Sequence, residues 1–215
     1  MKVIQVDLNK GYSDVIRETV NVLNSGGTII YPTDTLYGLG ANAINEIAVR
    51  KIFRIKDRSF SKPLPVIVRD YSWVKKLANI KPGNEEIMKK VWPGKVTIVL
   101  TKKDIVPDVL TAELNSVGIR IPDYMFVDRL LAKFGRPLTS TSANISGQEP
   151  TNDINKIIEV FSKSIIKPDL IIDAGILPKS EPSMIIDLTG SKPKVLRISS
   201  TKPEKLLELL ELGVK

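Results

Sequence analysis

The chain has 215 residues, of which 42% are hydrophobic and 26% charged, with a mean hydropathy near zero, a globular composition that excludes disordered, fibrous and membrane-embedded classes. It contains no cysteine and no histidine. Disulfides, thiolate catalysis, Ser-His-Asp systems and zinc held by Cys or His are therefore ruled out, leaving chemistry run by positioning, Lys/Arg electrostatics, carboxylates or a loosely held magnesium. A net charge of +8 favours nucleotides, RNA or phosphorylated substrates, although a lysine-rich, heat-adapted surface accounts for the same excess.

In chain order, the N-terminus MKVIQVDLNK places Asp7 where a signal peptide needs its apolar stretch, and no apolar run approaches the ~18 residues of a membrane span, so a soluble, cytoplasmic protein is expected. Short β-branched runs predict strands at 3–6, 28–31, 63–68, 96–100, 118–121, 138–141, 170–173, 183–187 and 194–198. Helical periodicity follows Ser13, read as a cap, with Gly26 and Gly27 closing that first helix. Further helices are predicted over 45–55, 71–78, 84–91, 124–134, 153–162 and 203–212. The interleaving predicts an α/β protein, a single domain over 1–215 with a large mixed, twisted β-sheet flanked by helices.

Three stretches carry the chemistry. In YPTDTLYGLG (31–40), Pro32 ends a strand, Thr33, Thr35 and Tyr37 alternate so that an extended backbone aims their hydroxyls to one side, and Gly38 and Gly40 permit close approach. Neither the dinucleotide fingerprint nor the Walker loop is present. The stretch 50–65 places Arg50, Lys51, Arg54, Lys56, Arg58 and Lys62 against Asp57 alone. Arg50 and Arg54 fall on one solvated helix face; an extended segment after them would turn Lys56 and Arg58 the same way and converge them with Lys62. In PLTSTSANISGQEPT (137–151), Ser140, Thr141, Ser142 and Asn144 at a strand end suit phosphate oxygens or a small polar substrate.

Taken together, PTDTLYGLG, KDR followed by SKPLP, PGKVTIVL, VGIRIP, STSANISG with a later Pro-Thr, and PSMIIDLTG ahead of VLRISS resemble, in this order and spacing, the threonylcarbamoyl-AMP synthase family, also called the YrdC-domain family. The resemblance runs from about residue 15 to 200. It implies synthesis of threonylcarbamoyl-AMP from L-threonine, bicarbonate and ATP with Mg²⁺, releasing pyrophosphate and supplying a downstream transferase that modifies tRNA beside the anticodon. It implies threonine binding by Thr35, Arg120, Ser142 and Ser183. Nucleotide binding falls on Arg58, Lys62, Ser116, Asn144, Thr151 and Arg197, and catalysis on Lys56 and Arg58. Ile67 stands where many relatives have histidine, and the chain is similar to the short form that lacks a C-terminal domain. The competing reading is a tRNA or double-stranded RNA binding module without catalysis, held by phosphate contacts; against it stand the 6% aromatic content and the missing RRM and KH signatures. A weaker alternative is a carbamoyl-adenylate-forming accessory domain that acts on another substrate.

Overall fold

The structure is a computed structural model and describes residues 1–180 and 182–198; the helix expected over 203–212 lies outside them. The first half runs β1 (Lys2–Gln5), α1 (Ser13–Asn24), β2 (Ile29–Tyr31), β3 (Gly38–Gly40), α2 (Glu46–Lys56), β4 (Val66–Ile67), α3 (Tyr71–Leu77), β5 (Ala78–Asn79), α4 (Asn84–Val91) and β6 (Val96–Lys102). It continues through α5 (Asp108–Thr111), β7 (Ser116–Arg120), α6 (Met125–Phe134), β8 (Leu138–Thr139), β9 (Thr141–Ser142), α7 (Ile154–Lys163), β10 (Leu170–Asp173), β11 (Met184–Asp187) and β12 (Lys194–Arg197).

The expected α/β class is present, with its strands divided over two mixed sheets. Sheet A has the order β1-β10-β2-β3-β9; sheet B has β12-β11-β6-β7-β4-β8, with β5 beside β6. Both combine parallel and antiparallel pairs. They meet where the chain passes from β8 to β9 through Ser140, and an isolated bridge between Asn42 and Leu138 continues β3 toward β8. Helices cover sheet A on both faces. Ile29 and Tyr31 join α1 and α6 in one cluster, while Ile30 points into the larger core with α2 and α7. Burial on both faces explains why β2 reads as a continuous apolar run.

Two local expectations are corrected. Ser13 is the first residue of α1 and not its cap; Tyr12 occupies that position without a side-chain bond. The reason is packing: the Tyr12 ring is buried against Phe126, centroids 5.4 Å apart, and fixes where the chain enters the helix. The glycine-rich 38–40 segment, read as loop, is strand β3, paired to both β2 and β9. Neither Gly38 nor Gly40 has a positive φ. Their missing Cβ atoms admit the Tyr31 ring from the neighbouring strand: a Cβ on Gly40 would lie 2.7 Å from that ring and 3.0 Å from the Thr139 carbonyl oxygen.

Because the obstruction includes backbone, Gly40→Ala is expected to destabilise the fold by about 1–3 kcal/mol. Gly11→Ala, where nothing stands within 4 Å, is expected to leave stability unchanged. Urea midpoints of the two variants check the difference, and equal midpoints would show that the Tyr31 ring moves aside freely.

Candidate active site

Sheet B is buried on one face only. Ile98, Leu100, Val117, Ile119, Met184 and Ile186 enter the larger core with residues of α2, α3 and α4. Strand periodicity turns the intervening residues the other way. Thr97 and Val99 of β6, Ser116, Gly118 and Arg120 of β7, and Ile185 and Asp187 of β11 form the floor of a cavity of about 600 Å³. Its walls come from the 33–37 segment, the 58–65 loop, β9, and the Pro182–Ser183 and Leu196–Arg197 segments. Among the described residues three arginines, Arg58, Arg120 and Arg197, line it against one carboxylate, Asp187, so the cavity favours an anion.

Thr35, Arg120, Ser142 and Ser183 all line this one cavity, although 148 positions separate the first from the last. The Thr33 and Thr35 hydroxyls lie 3.1 Å apart, and the Thr33 hydroxyl also donates to the Leu36 carbonyl. Tyr37 does not join them. Its hydroxyl donates to the Gly175 carbonyl and accepts from the Ala174 amide, tying β3 to the end of β10. The Ser183 hydroxyl bonds Thr97 at 3.0 Å, and the Arg197 Nε and Nη2 both donate to the Ser183 carbonyl, at 2.9 and 2.6 Å. Arg197 is thereby clamped across the edge of the cavity.

Lys56, Arg58 and Lys62 do not converge. Lys56 remains in α2 as its last residue, and Asp57 reverses the chain with φ +50°. The Lys56 side chain is 2% exposed and turns inward. Its Nζ donates to the Ser142 carbonyl (2.6 Å), the Asn144 carbonyl (2.7 Å) and Asn144 Oδ1 (3.1 Å). Burial, with a smaller push from Arg58, lowers its pKa to about 7; the three acceptors oppose that shift, because only the ammonium has three protons to give. Arg58 faces the cavity, with Nε and Nη2 held by the carbonyls of Lys62 and Pro63 at 3.1 and 3.0 Å. The Lys62 side chain is exposed, outside the cavity lining.

Ser116 and Arg197 line the cavity; Asn144 and Thr151 stand behind its wall. Asn144 Oδ1 accepts from Ser142 Oγ and Lys56, while Nδ2 donates to the carbonyls of Ile145 and Gln148, so the side chain is saturated in shaping its own loop. Thr151 Oγ1 accepts from the Asp153 amide at the start of α7. Ile67 is 2% exposed and lines the cavity while packing in the smaller core cluster; no polar contact is available from that position.

Sequence reasoning passed over Asp34. It pairs with Arg120 Nη2, and both side chains are almost fully buried. Burial raises the Asp34 pKa while Arg120 opposes the rise. Arg120 Nε is buried with no partner. The available signal was an acidic residue inside an otherwise hydroxyl-bearing motif, which has no reason to be there unless a cation meets it. Thr97, missed as well, was hidden in a strand read only as core.

The Sua5/YciO/YrdC family model, described as telomere recombination, matches residues 21–199. The chain belongs to this family. It is similar to the threonylcarbamoyl-AMP synthase of Pyrococcus abyssi, 34% identical over 196 residues that cover 91% of this chain and 57% of that protein. The threonylcarbamoyl-AMP synthase of Yersinia enterocolitica is 34% identical over 182 residues, covering 82% of this chain and 93% of its own. Among solved structures, P. abyssi Sua5 complexed with L-threonine superposes with a TM-score of 0.89 at 33% identity, over 97% of this chain and 61% of that one. The fold is thus shared with P. abyssi Sua5 over nearly the whole of this chain.

Replacing Lys56 by methionine keeps the volume but leaves three oxygens without their donor. Lys56→Met is expected to cost about 3 kcal/mol in stability and to speed amide exchange across Ile145–Gln148. An unchanged urea midpoint with unchanged exchange would show that the ammonium does not hold this loop.

Proposed function

We propose that this chain is a threonylcarbamoyl-AMP synthase, joining L-threonine, bicarbonate and ATP with release of pyrophosphate, and that its product feeds a transferase that modifies tRNA in the cytoplasm. The observation that carries the reading is one cavity in which Thr35, Ser142 and Ser183 stand beside three guanidiniums, in a family whose P. abyssi member binds L-threonine. The chemistry suits a chain without His or Cys. The amine of threonine adds to bicarbonate with loss of water to form a carbamate, and the carbamate oxygen attacks the α-phosphorus of ATP and expels pyrophosphate. No covalent enzyme intermediate is needed, so orientation supplies much of the rate. Arg58 and Arg197 stabilise the charge that develops on the phosphoryl group, and Arg120 holds the threonine carboxylate. Lys56 acts through the Ser142–Asn144 loop and is a positioning residue.

Mg²⁺ accompanies ATP in this reading. Among the described residues Asp187 is the one carboxylate of the cavity lining, and no three His, Cys, Asp or Glu side chains gather as a metal site. The donor set therefore fits an ion held chiefly by the substrate's own phosphates, a common arrangement for magnesium. Among the described residues no helix is long and apolar enough to cross a membrane.

Pyrophosphate release is expected to need both threonine and bicarbonate and to proceed without RNA. Valine, isosteric but lacking the hydroxyl, is expected to lose at least ~10²-fold in kcat/KM, because the hydroxyls facing it are left without a partner. Equal turnover of valine, or strict dependence on RNA, would return the question to the nucleic-acid reading.

Arg58→Lys keeps the charge but loses the planar fork held by the Lys62 and Pro63 carbonyls, so the rate is expected to fall by about 10²-fold with the fold intact. Arg50 pairs with Glu46 on the exposed face of α2 and Arg54 is exposed beside it. The same change at either is expected to stay within about 0.5 kcal/mol. Steady-state kinetics with circular dichroism on the three variants check this.

A further inference from the structure

The cavity floor is not uniform. Strand register sets Ile185, Thr97 and Arg120 in one row across sheet B. Asp187, Val99 and Gly118 form the next row, about 7 Å further along the strands. The second row is different in chemistry. Val99 is apolar, Gly118 has no side chain, and the apolar side chains of Leu114, Ile185 and Leu196 also line the cavity. The missing side chain leaves a gap in the floor bordered by Thr97 Cγ2 and Pro65, and a narrow gap among apolar groups accepts the edge of a planar ring.

Asp187 interrupts this apolar sector and is, among the described residues, the one carboxylate that lines the cavity. Its Oδ1 accepts from the Thr189 amide at 2.8 Å and from the Thr189 hydroxyl at 2.7 Å, which fixes the side chain. Oδ2 has no hydrogen-bond partner among the described residues. A carboxylate repels phosphates, the carbamate and the amino-acid carboxylate alike; with the amino acid held at Arg120 in the neighbouring row, what is left for Asp187 is the uncharged part of the nucleotide that carries donors. On a nucleotide those donors are the amino group of the base and the sugar hydroxyls. The apolar surroundings select the base.

Resting on the proposed synthase function, we infer that Asp187 is a specificity-determining residue whose free Oδ2 accepts a hydrogen bond from the exocyclic amino group of the adenine base of ATP. The base lies over Val99 and Gly118, with its apolar faces against the leucines and Ile185. A nucleotide with a carbonyl oxygen at that position sets two acceptors against each other and is rejected.

The test is calorimetric binding of ATP, purine riboside 5′-triphosphate (which lacks the amino group) and 2′-deoxy-ATP to the unsubstituted protein and to Asp187→Asn. Asparagine keeps Oδ1 for Thr189, so the turn after β11 is preserved and only the free acceptor is lost. Removing the amino group is expected to weaken binding about tenfold in the unsubstituted protein, the effect of one hydrogen bond to a charged acceptor. In Asp187→Asn the two nucleotides are expected to bind within about twofold of one another, because the contact is already gone. An equal loss in both proteins overturns the assignment, as does a coupling seen with 2′-deoxy-ATP instead, which would place Asp187 on the sugar. A loss confined to threonine affinity overturns it as well. If the unsubstituted protein binds no ATP at all, the synthase reading fails and this one with it; if ATP binds and supports turnover but the coupling is absent, only the role of Asp187 fails.

Discussion

Sheet B has helices on one face and a cavity on the other, and its strands can satisfy both sides only in one register. Ile98, Ile119 and Ile186 are completely buried in the core, whereas Thr97, Arg120 and Asp187, their neighbours in sequence, face the cavity. A slip of one residue would drive a guanidinium and a carboxylate into the core and turn isoleucines into the cavity. The cost of burying those charges without partners is several kcal/mol each. Core and site are thus two readings of the same alternation, and mutations that loosen the core of β6, β7 or β11 act on the site through register.

The second constraint is the ammonium of Lys56. It sits at the C-terminus of α2, where the helix dipole favours a cation, and meets three oxygens of the 142–144 segment. The Ser146 amide returns a bond to the Lys56 carbonyl at 2.7 Å. Helix end and loop therefore hold each other from both sides. Arg58, two residues on, inherits its position from this anchor: Asp57 reverses the chain, and the guanidinium closes on the carbonyls of its own loop. A lysine that does not itself line the cavity still decides where the cavity's arginine stands.

The strands β6, β7 and β11 and the helical stretches between them were legible in the sequence because β-branched runs and helical periodicity stand out there, whereas the alternation that turns Thr97 toward the cavity was not read. The strand at Gly38–Gly40 was not. Glycine has no strand preference of its own, and its place in the sheet depends on the Tyr31 ring filling the space above it, a contact that local pattern does not encode. The direction of Lys56 was missed for a related reason. Spacing places a residue on a helix or an extended segment, but the left-handed turn at Asp57 decides which way the next cations face. The division of the strands over two sheets follows from Ser140, whose amide bonds the Pro65 carbonyl in sheet B between two strands that belong to different sheets. Asp34 escaped because its meaning lies in Arg120, 86 positions away.

The net charge of +8 says less about ligand choice than the cavity does. Lysines on the surface lie in water, and beyond a Debye length of about 8 Å at physiological salt their field is largely screened. Inside the cavity the balance is local. Asp34 neutralises much of Arg120, so that guanidinium offers directed hydrogen bonding, its Nε still unpartnered, and little long-range pull. Arg58 and Arg197 donate only to carbonyl and hydroxyl oxygens and form no ion pair among the described residues. Their charges remain uncompensated, and burial lowers the pKa of both, which is the electrostatic signature of cations waiting for an anion. Under the proposed function, phosphates are drawn to Arg58 and Arg197, while the weakly charged Arg120 corner accepts a small zwitterion. One cavity thus holds two separate electrostatic environments, and in the proposed reaction that separation is what keeps an amino acid and a nucleotide from exchanging their places.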